Sequence, residues 1–269
     1  MNAKQIECKF ATMGARFKVS VVPAQHMSND YAVDIQKDRR GEFFELRVPE
    51  FLRDSLDANV LQADKRDRHL LLFVRPPEGK PARFLCGHDE REWFVAAVPG
   101  GASSVVQAKE ALKPLAIRAR QSQLKVPPRL RNRRKNAAFR RQGEWFFAPV
   151  SAWERDRVDE KLILHNEPLR RGVGKPHLVE QLYRAGGELV YVCSRHPNGF
   201  SEAQYRKLLQ SNLSASQWGW RPLRRNPRVY ARGRVRHPDH ATITLPDWHR
   251  VVMNTETETE TMRNVAFID

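Results

Sequence analysis

Residues 118–141 hold ten basic side chains and no acidic one. The helix-like "SSVVQAKEALKP" precedes them and the strongly apolar "EWFFAPV" follows. So much unopposed charge cannot enter a core, because an ion withdrawn from water without a partner is costly. The chain must therefore fold with this segment on its outside. A second stretch, residues 221–236, adds seven basic and no acidic residues. Together the two stretches account for the whole net charge of +16 and leave the rest of the chain close to neutral. An arginine-biased composition explains Arg over Lys, but not the absence of acids from both stretches.

Localised positive potential of this kind suits a polyanion. Arginine's planar fork pairs two phosphate oxygens and stacks on bases, which favours RNA or another single-stranded nucleic acid over double-stranded DNA. The candidate contacts in the first stretch are Arg129, Arg131, Arg133, Arg134, Lys135, Arg140 and Arg141. Those in the second are Arg221, Arg224, Arg225, Arg228, Arg232, Arg234 and Arg236. "QWGWRP" adds Trp218 and Trp220, two rings at i and i+2 outside any periodic element, as candidate base-stacking surfaces. Phe146 and Phe147 instead read as strand core.

With 269 residues, 41% of them hydrophobic, the chain can bury one large core or two small ones. "ARFKVSVVP", "EFFELRVP" and "HLLLFVR" predict strands, the last a buried one, and "PEFLRDSLDANVL" a short helix between them. "RFLCGHDEREWFVAAVP" reads as a hairpin turning at Gly87. Capping-box spacings at Ser104/Gln107, Ser151/Glu154 and Ser201/Gln204 predict three helices, and Pro176 opens a fourth through Leu178, Val179, Leu182 and Tyr183. "AAFRRQGEWFFAPV" and "VYARGRVRHPDHATITL" predict two more hairpins. The first of these echoes "EWFVAAVP", which raises a duplication with Trp93 and Trp145 equivalent. The expected class is α+β, with hairpin-rich regions and short helices. It divides into an N-terminal region (1–117), a basic connector (118–138) broken by Pro127-Pro128, a C-terminal region (139–252) and an acidic Thr/Glu tail (253–269), mobile in its first half and with "NVAFI" as a segment able to dock.

Catalytic motifs are weak. His237, His240 and His249, with Asp239 among them, lie near one hairpin and are the candidate ligands for a divalent metal, which would make the chain a metal-dependent phosphodiesterase. Their spacing is not a zinc signature, and no cofactor is otherwise implied. "HAT" with "HMS" at 26–28 is a poor match to paired His-x-Thr phosphoesterases. "CGHDER" reads as a buried, inert Cys86 more than as a nucleophile. "RRGVGKPH" reads as a flexible turn more than as an anion cradle. The sheet-platform RNA-binding signature, a two-Cys two-His finger and a Walker loop are all missing. Cys8, Cys86 and Cys193, odd in number and far apart, point to reduced thiols and a cytoplasmic setting, and no apolar run suffices to span a membrane. A protein-interaction scaffold is the remaining alternative.

Overall fold

The computed structural model describes residues 2–23, 31–170 and 175–258. They fall into two units. The first runs to Trp145 and includes Pro238–Ala241 and the segment from Met253; the second holds Phe146–His237 and Thr242–Val252. The chain is mixed and strand-rich, with several small sheets and few helices, within the general α+β class.

The first unit opens with α1 (Ala3–Thr12), capped by the Asn2 side chain, with Ile6 and Phe10 on its buried face. β1 (Phe17–Val22), β2 (Ala32–Asp38) and β3 (Gly41–Pro49) form a sheet ordered β1-β3-β2, in which β1 runs parallel and β2 antiparallel to β3. Alternation along β3 buries Phe44, Leu46 and Val48 completely, while Glu45 and Arg47 are only partly covered. β4 (Asp57–Asp64), β5 (His69–Arg75), β6 (Ala82–Asp89) and β7 (Glu92–Ala97) make an antiparallel meander.

β5 has no polar face because both of its faces are covered. Leu70, Leu72 and Val74 join Ile6, Phe10 and Phe44 in one core. Leu71 joins Leu85, Ala96 and two residues of α2 (Val105–Ala111), Val105 and Ala108, in another. This is why "HLLLFVR" lacks alternation.

α2 begins at Ser104, whose side chain accepts from the Gln107 amide, as the spacing requires. Its last carbonyls have no helical partner. The segment after Met253 supplies them: the Thr255 hydroxyl donates to the Ala111 carbonyl (2.7 Å) and the Thr255 amide to that of Leu112 (3.2 Å). The next residue, Glu256, is buried and accepts from the Ala97 amide at the end of β7 (3.2 Å). The acidic tail was expected to start mobile, yet it starts docked, in a 3₁₀ turn over Thr255–Glu258. Residues 259–269, which include "NVAFI", lie outside the described residues, as do 26–28 and 171–174.

Three local expectations change. "PEFLRDSLDANVL" holds only a 3₁₀ turn at Glu50–Leu52 before β4, because Ala58 and Val60 pair with β5 and pack into the first core. The β6–β7 turn sits at Glu90-Arg91, with Glu90 at φ 58°, and Gly87 lies inside β6. The stretch read as a broken connector carries α3 (Leu115–Gln123) and α4 (Pro128–Arg131), since Pro128 occupies the first turn of α4, where a missing N–H costs nothing.

β8 (Arg140–Gln142) is joined through Gly143 and Glu144 to β9 (Trp145–Pro149). In the second unit, α5 (Ala152–Arg155) carries a full Ser151/Glu154 capping box. β10 (Leu164–Leu169) and β11 (His177–Ala185) follow. β12 (Glu188–Cys193), β13 (His196–Ser201), α6 (Glu202–Ser211) and β14 (Arg221–Arg225) form a subdomain, with α6 boxed by Ser201 and Gln204. β15 (Arg228–His237) and β16 (His240–Met253) complete the chain, separated by Pro238-Asp239. The strand order β10-β11-β15-β16-β9 builds the main sheet, and β13-β12-β14 a smaller one. β11 replaces the helix expected after Pro176. It is an interior strand buried on both sides near its end, so Val179, Leu182 and Tyr183 are all covered and mimic helical spacing. The echoing strands sit differently: β7 is a sheet edge with Trp93 half-buried, whereas Trp145 at the start of β9 is buried.

No helix among the described residues is long and apolar enough to cross a membrane. Cys86 and Cys193 are buried and Cys8 is exposed, all as thiols. Burial pushes the Cys86 thiol up, the opposite of what a nucleophile needs.

Gly87 is required by its neighbours rather than by a turn, for a Cβ there would lie 2.5 Å from the His69 ring and 2.9 Å from Phe94. Gly87→Ala is therefore expected to destabilise the fold by about 1–3 kcal/mol, the cost of overpacking, read by denaturant unfolding. The same burial, with Lys109 nearby, pushes the His69 imidazole down to about 4 from 6.5. The unfolded chain then binds a proton that the folded one refuses between these values. The stability that depends on neutral His69 is intact above pH 6.5 and declines as pH falls towards 4. Unfolding curves across that range should show this decline, and His69→Gln should flatten it.

Candidate nucleic-acid interface

The first basic stretch is a folded lobe. Gln121, almost fully buried on α3, donates to the Arg131 carbonyl (2.8 Å) and accepts from Lys113 (3.2 Å), which also pairs with Glu110 (2.5 Å). The Arg131 guanidinium turns back to the Val126 carbonyl (3.1 Å). After α4, the Asn136 side chain accepts from the amides of Ala138 (2.9 Å) and Phe139 (3.3 Å), a local turn that brings β8 alongside. The Arg141 amide donates to the Arg134 carbonyl (2.7 Å), fixing these two arginines side by side.

Asp89 and Glu90, at the β6–β7 turn, meet them there. Arg134 bonds both carboxylates, and Arg141 pairs with Asp89 at 3.2 Å. Burial pulls the Arg141 guanidinium below the usual arginine range, and Asp89 opposes that shift. Glu90 also accepts from the Ala241 amide and lies 3.7 Å from His240 Nδ1. The expectation that the acid-free stretches keep all their charge for a partner is thus corrected at Arg134 and Arg141, because the neutralising acids arrive from elsewhere in the fold.

Other cations of the lobe stand outside. Arg118, Lys125, Arg129, Arg133 and Lys135 are exposed, and none has an ion pair with a described residue. Leu124 and Leu130 are exposed between them. Arg140 is half-buried on β8.

On the second unit, Arg225 pairs with Glu188 (2.6 Å) and Arg234 with Glu180 (3.1 Å). Arg236 donates to Asn166 (3.0 Å) and Arg224 to the Gly187 carbonyl (3.3 Å). Arg232 donates to Gln181 (2.6 Å) while its guanidinium lies over the Trp248 ring. Arg221 and Arg228 are exposed and have no ion pair with a described residue.

Trp218 and Trp220 are half-buried. The Trp220 Nε1–H donates to the Ala215 carbonyl (2.7 Å), and its ring lies parallel to His196 within 4° and packs near Phe200 and Tyr205. Arg195 sits 4.6 Å over Trp218. These rings form a small core for α6 and the β13-β12-β14 sheet, and Trp218 already has a cation on one face.

Three histidines, His237, His240 and His249, were proposed as metal ligands. His249 is buried, its Nδ1 2.7 Å from the Asp247 carbonyl, and Asp247 pairs with Arg155 (3.0 Å). His237 stacks at 4.2 Å on His177 of β11. Asp239 lies in the β15–β16 turn.

Compared with known proteins, the chain matches no family model, no curated protein and no solved structure.

Asp89→Ala would leave a largely desolvated Arg141 without its carboxylate. The expected loss is about 2–3 kcal/mol in denaturant unfolding, less than the roughly 3–5 kcal/mol of a fully buried pair, because 28% of the Arg141 side chain stays exposed. Asp89→Asn, which keeps an acceptor, should lose less.

Proposed function

We propose that the protein binds RNA or another single-stranded nucleic acid through the α3–α4 lobe. One observation carries the reading: Arg118, Lys125, Arg129, Arg133 and Lys135 are exposed on a lobe whose own sequence contains no acid, and none is ion-paired with a described residue. Phosphate binding by such a lobe is an electrostatic affinity without base choice. The exposed leucines between the cations add apolar contact for a base or ribose, which a duplex would not offer. Arg134 and Arg141 act in this reading from behind, orienting the loop through Asp89 and Glu90 rather than touching phosphate.

Five phosphate contacts predict that the logarithm of affinity falls with log salt at a slope of roughly −3.5 on a single strand. Replacing Arg129, Arg133 and Lys135 together by Glu should bring that slope to about −1.4 or shallower and weaken binding strongly at moderate salt. Fluorescence anisotropy with a labelled RNA measures both, and circular dichroism checks that folding is kept. Wild-type affinity in the triple variant, or no binding by the native chain at low salt, removes the lobe as the contact surface.

A further inference from the structure

The second unit has a cleft of about 570 Å³ at the end of β11. Leu162, Tyr183 and Pro227 line it beside three charged groups, Glu167, Arg184 and Arg224. Its volume lies within the range in which pockets enclose small organic ligands. The Gly186-Gly187 link between β11 and β12 shapes its wall. Both glycines have positive φ, and a Cβ at Gly187 would press on the Arg225 carbonyl (3.0 Å) and Pro227 (3.2 Å), whereas Gly186 faces open space.

The charges are unequal in availability. Glu167 holds the Arg184 guanidinium at 3.0 Å, with both side chains mostly covered, so this pair is fixed in place and nearly neutral. Arg224 is exposed and spends one N–H on the Gly187 carbonyl (3.3 Å). The others remain for an anion, and one net cation beside a carboxylate suits a single phosphate better than a chain of them. Glu167 also has acceptor capacity beyond Arg184, as a carboxylate offers about four lone-pair sites. A carboxylate with free acceptor sites can take hydrogen bonds from a pair of ribose hydroxyls. Leu162, Tyr183 and Pro227 give a flat ring apolar walls.

We propose that this cleft binds a nucleoside monophosphate, with Arg224 on the phosphate, Glu167 on the ribose hydroxyls and the base against Leu162, Tyr183 and Pro227. The inference stands on the second unit alone and does not depend on nucleic-acid binding by the α3–α4 lobe.

Calorimetry with adenosine 5′-monophosphate tests it on the full chain. The native protein should give saturable binding, weakened about tenfold or more by Arg224→Ala and less by Arg224→Lys, the scale expected when one charge-assisted contact is lost. Adenosine without the phosphate should weaken similarly. The lobe variant with Arg129, Arg133 and Lys135 changed to Glu should bind the nucleotide as the native chain does, even where it has lost RNA. A trinucleotide with a 5′-phosphate separates the sources: affinity equal to the mononucleotide assigns the cleft to a strand terminus, and much weaker binding assigns it to a free nucleotide. No saturation up to millimolar nucleotide, or undiminished affinity in a folded Arg224→Ala variant, overturns the proposal.

Discussion

Two adjacent carboxylates at one hairpin turn, Asp89 and Glu90, decide how much of the positive charge of the first unit is available to a partner. Without them Arg134 and Arg141 would be desolvated against each other, and the loop between α4 and β8 would have no electrostatic reason to return to the β6–β7 turn. The Ala241 amide is satisfied at the same place. Asp89 at the end of β6 and Glu90 in the turn thus collect two guanidiniums and a backbone donor. That convergence is possible because Glu90 adopts a positive φ and the hairpin closes tightly.

The consequence for the basic lobe is a division of labour among chemically identical side chains. Arg134 and Arg141 are structural, while Arg129 and Arg133, from the same run, remain outside. In the second unit the partition follows individual sheet neighbours: Glu180 takes Arg234 and Glu188 takes Arg225, while Arg221 and Arg228 stay exposed. Arginine enrichment therefore marks where charge is concentrated along the chain, and only tertiary pairing says which charges are spent.

Legibility in the sequence tracked whether a signal was local. The Ser104, Ser151 and Ser201 caps were readable because a hydroxyl and an amide three residues on are chain neighbours. The fully apolar β5 was readable as buried, and the hairpin at Pro238-Asp239 as a turn. Gly87 was misread because its meaning lies in the His69 ring, which reaches it only through the β5–β6 register. β11 was misread because burial on both sides erases the alternation that distinguishes a strand. Within the candidate interface, the acid-free stretches were plain, but the acids that answer them lie 37 to 54 residues away in sequence. "HDER" did display both carboxylates, and two adjacent acids at a hairpin end in so basic a protein are the signal that points to this link. The Glu167–Arg184 pair gave no such cue, since neither residue stands out from a solvated surface pair.

The docking of Thr255 and Glu256 has a bearing on how the chain tolerates being cut. These residues close the carbonyl end of α2 and satisfy the last amide of β7, 144 and 159 positions upstream. A protease nick near Asn254 would consequently fray a helix end and a sheet margin remote in sequence, so that integrity of the carboxyl-terminal segment becomes a gauge of order in the first unit.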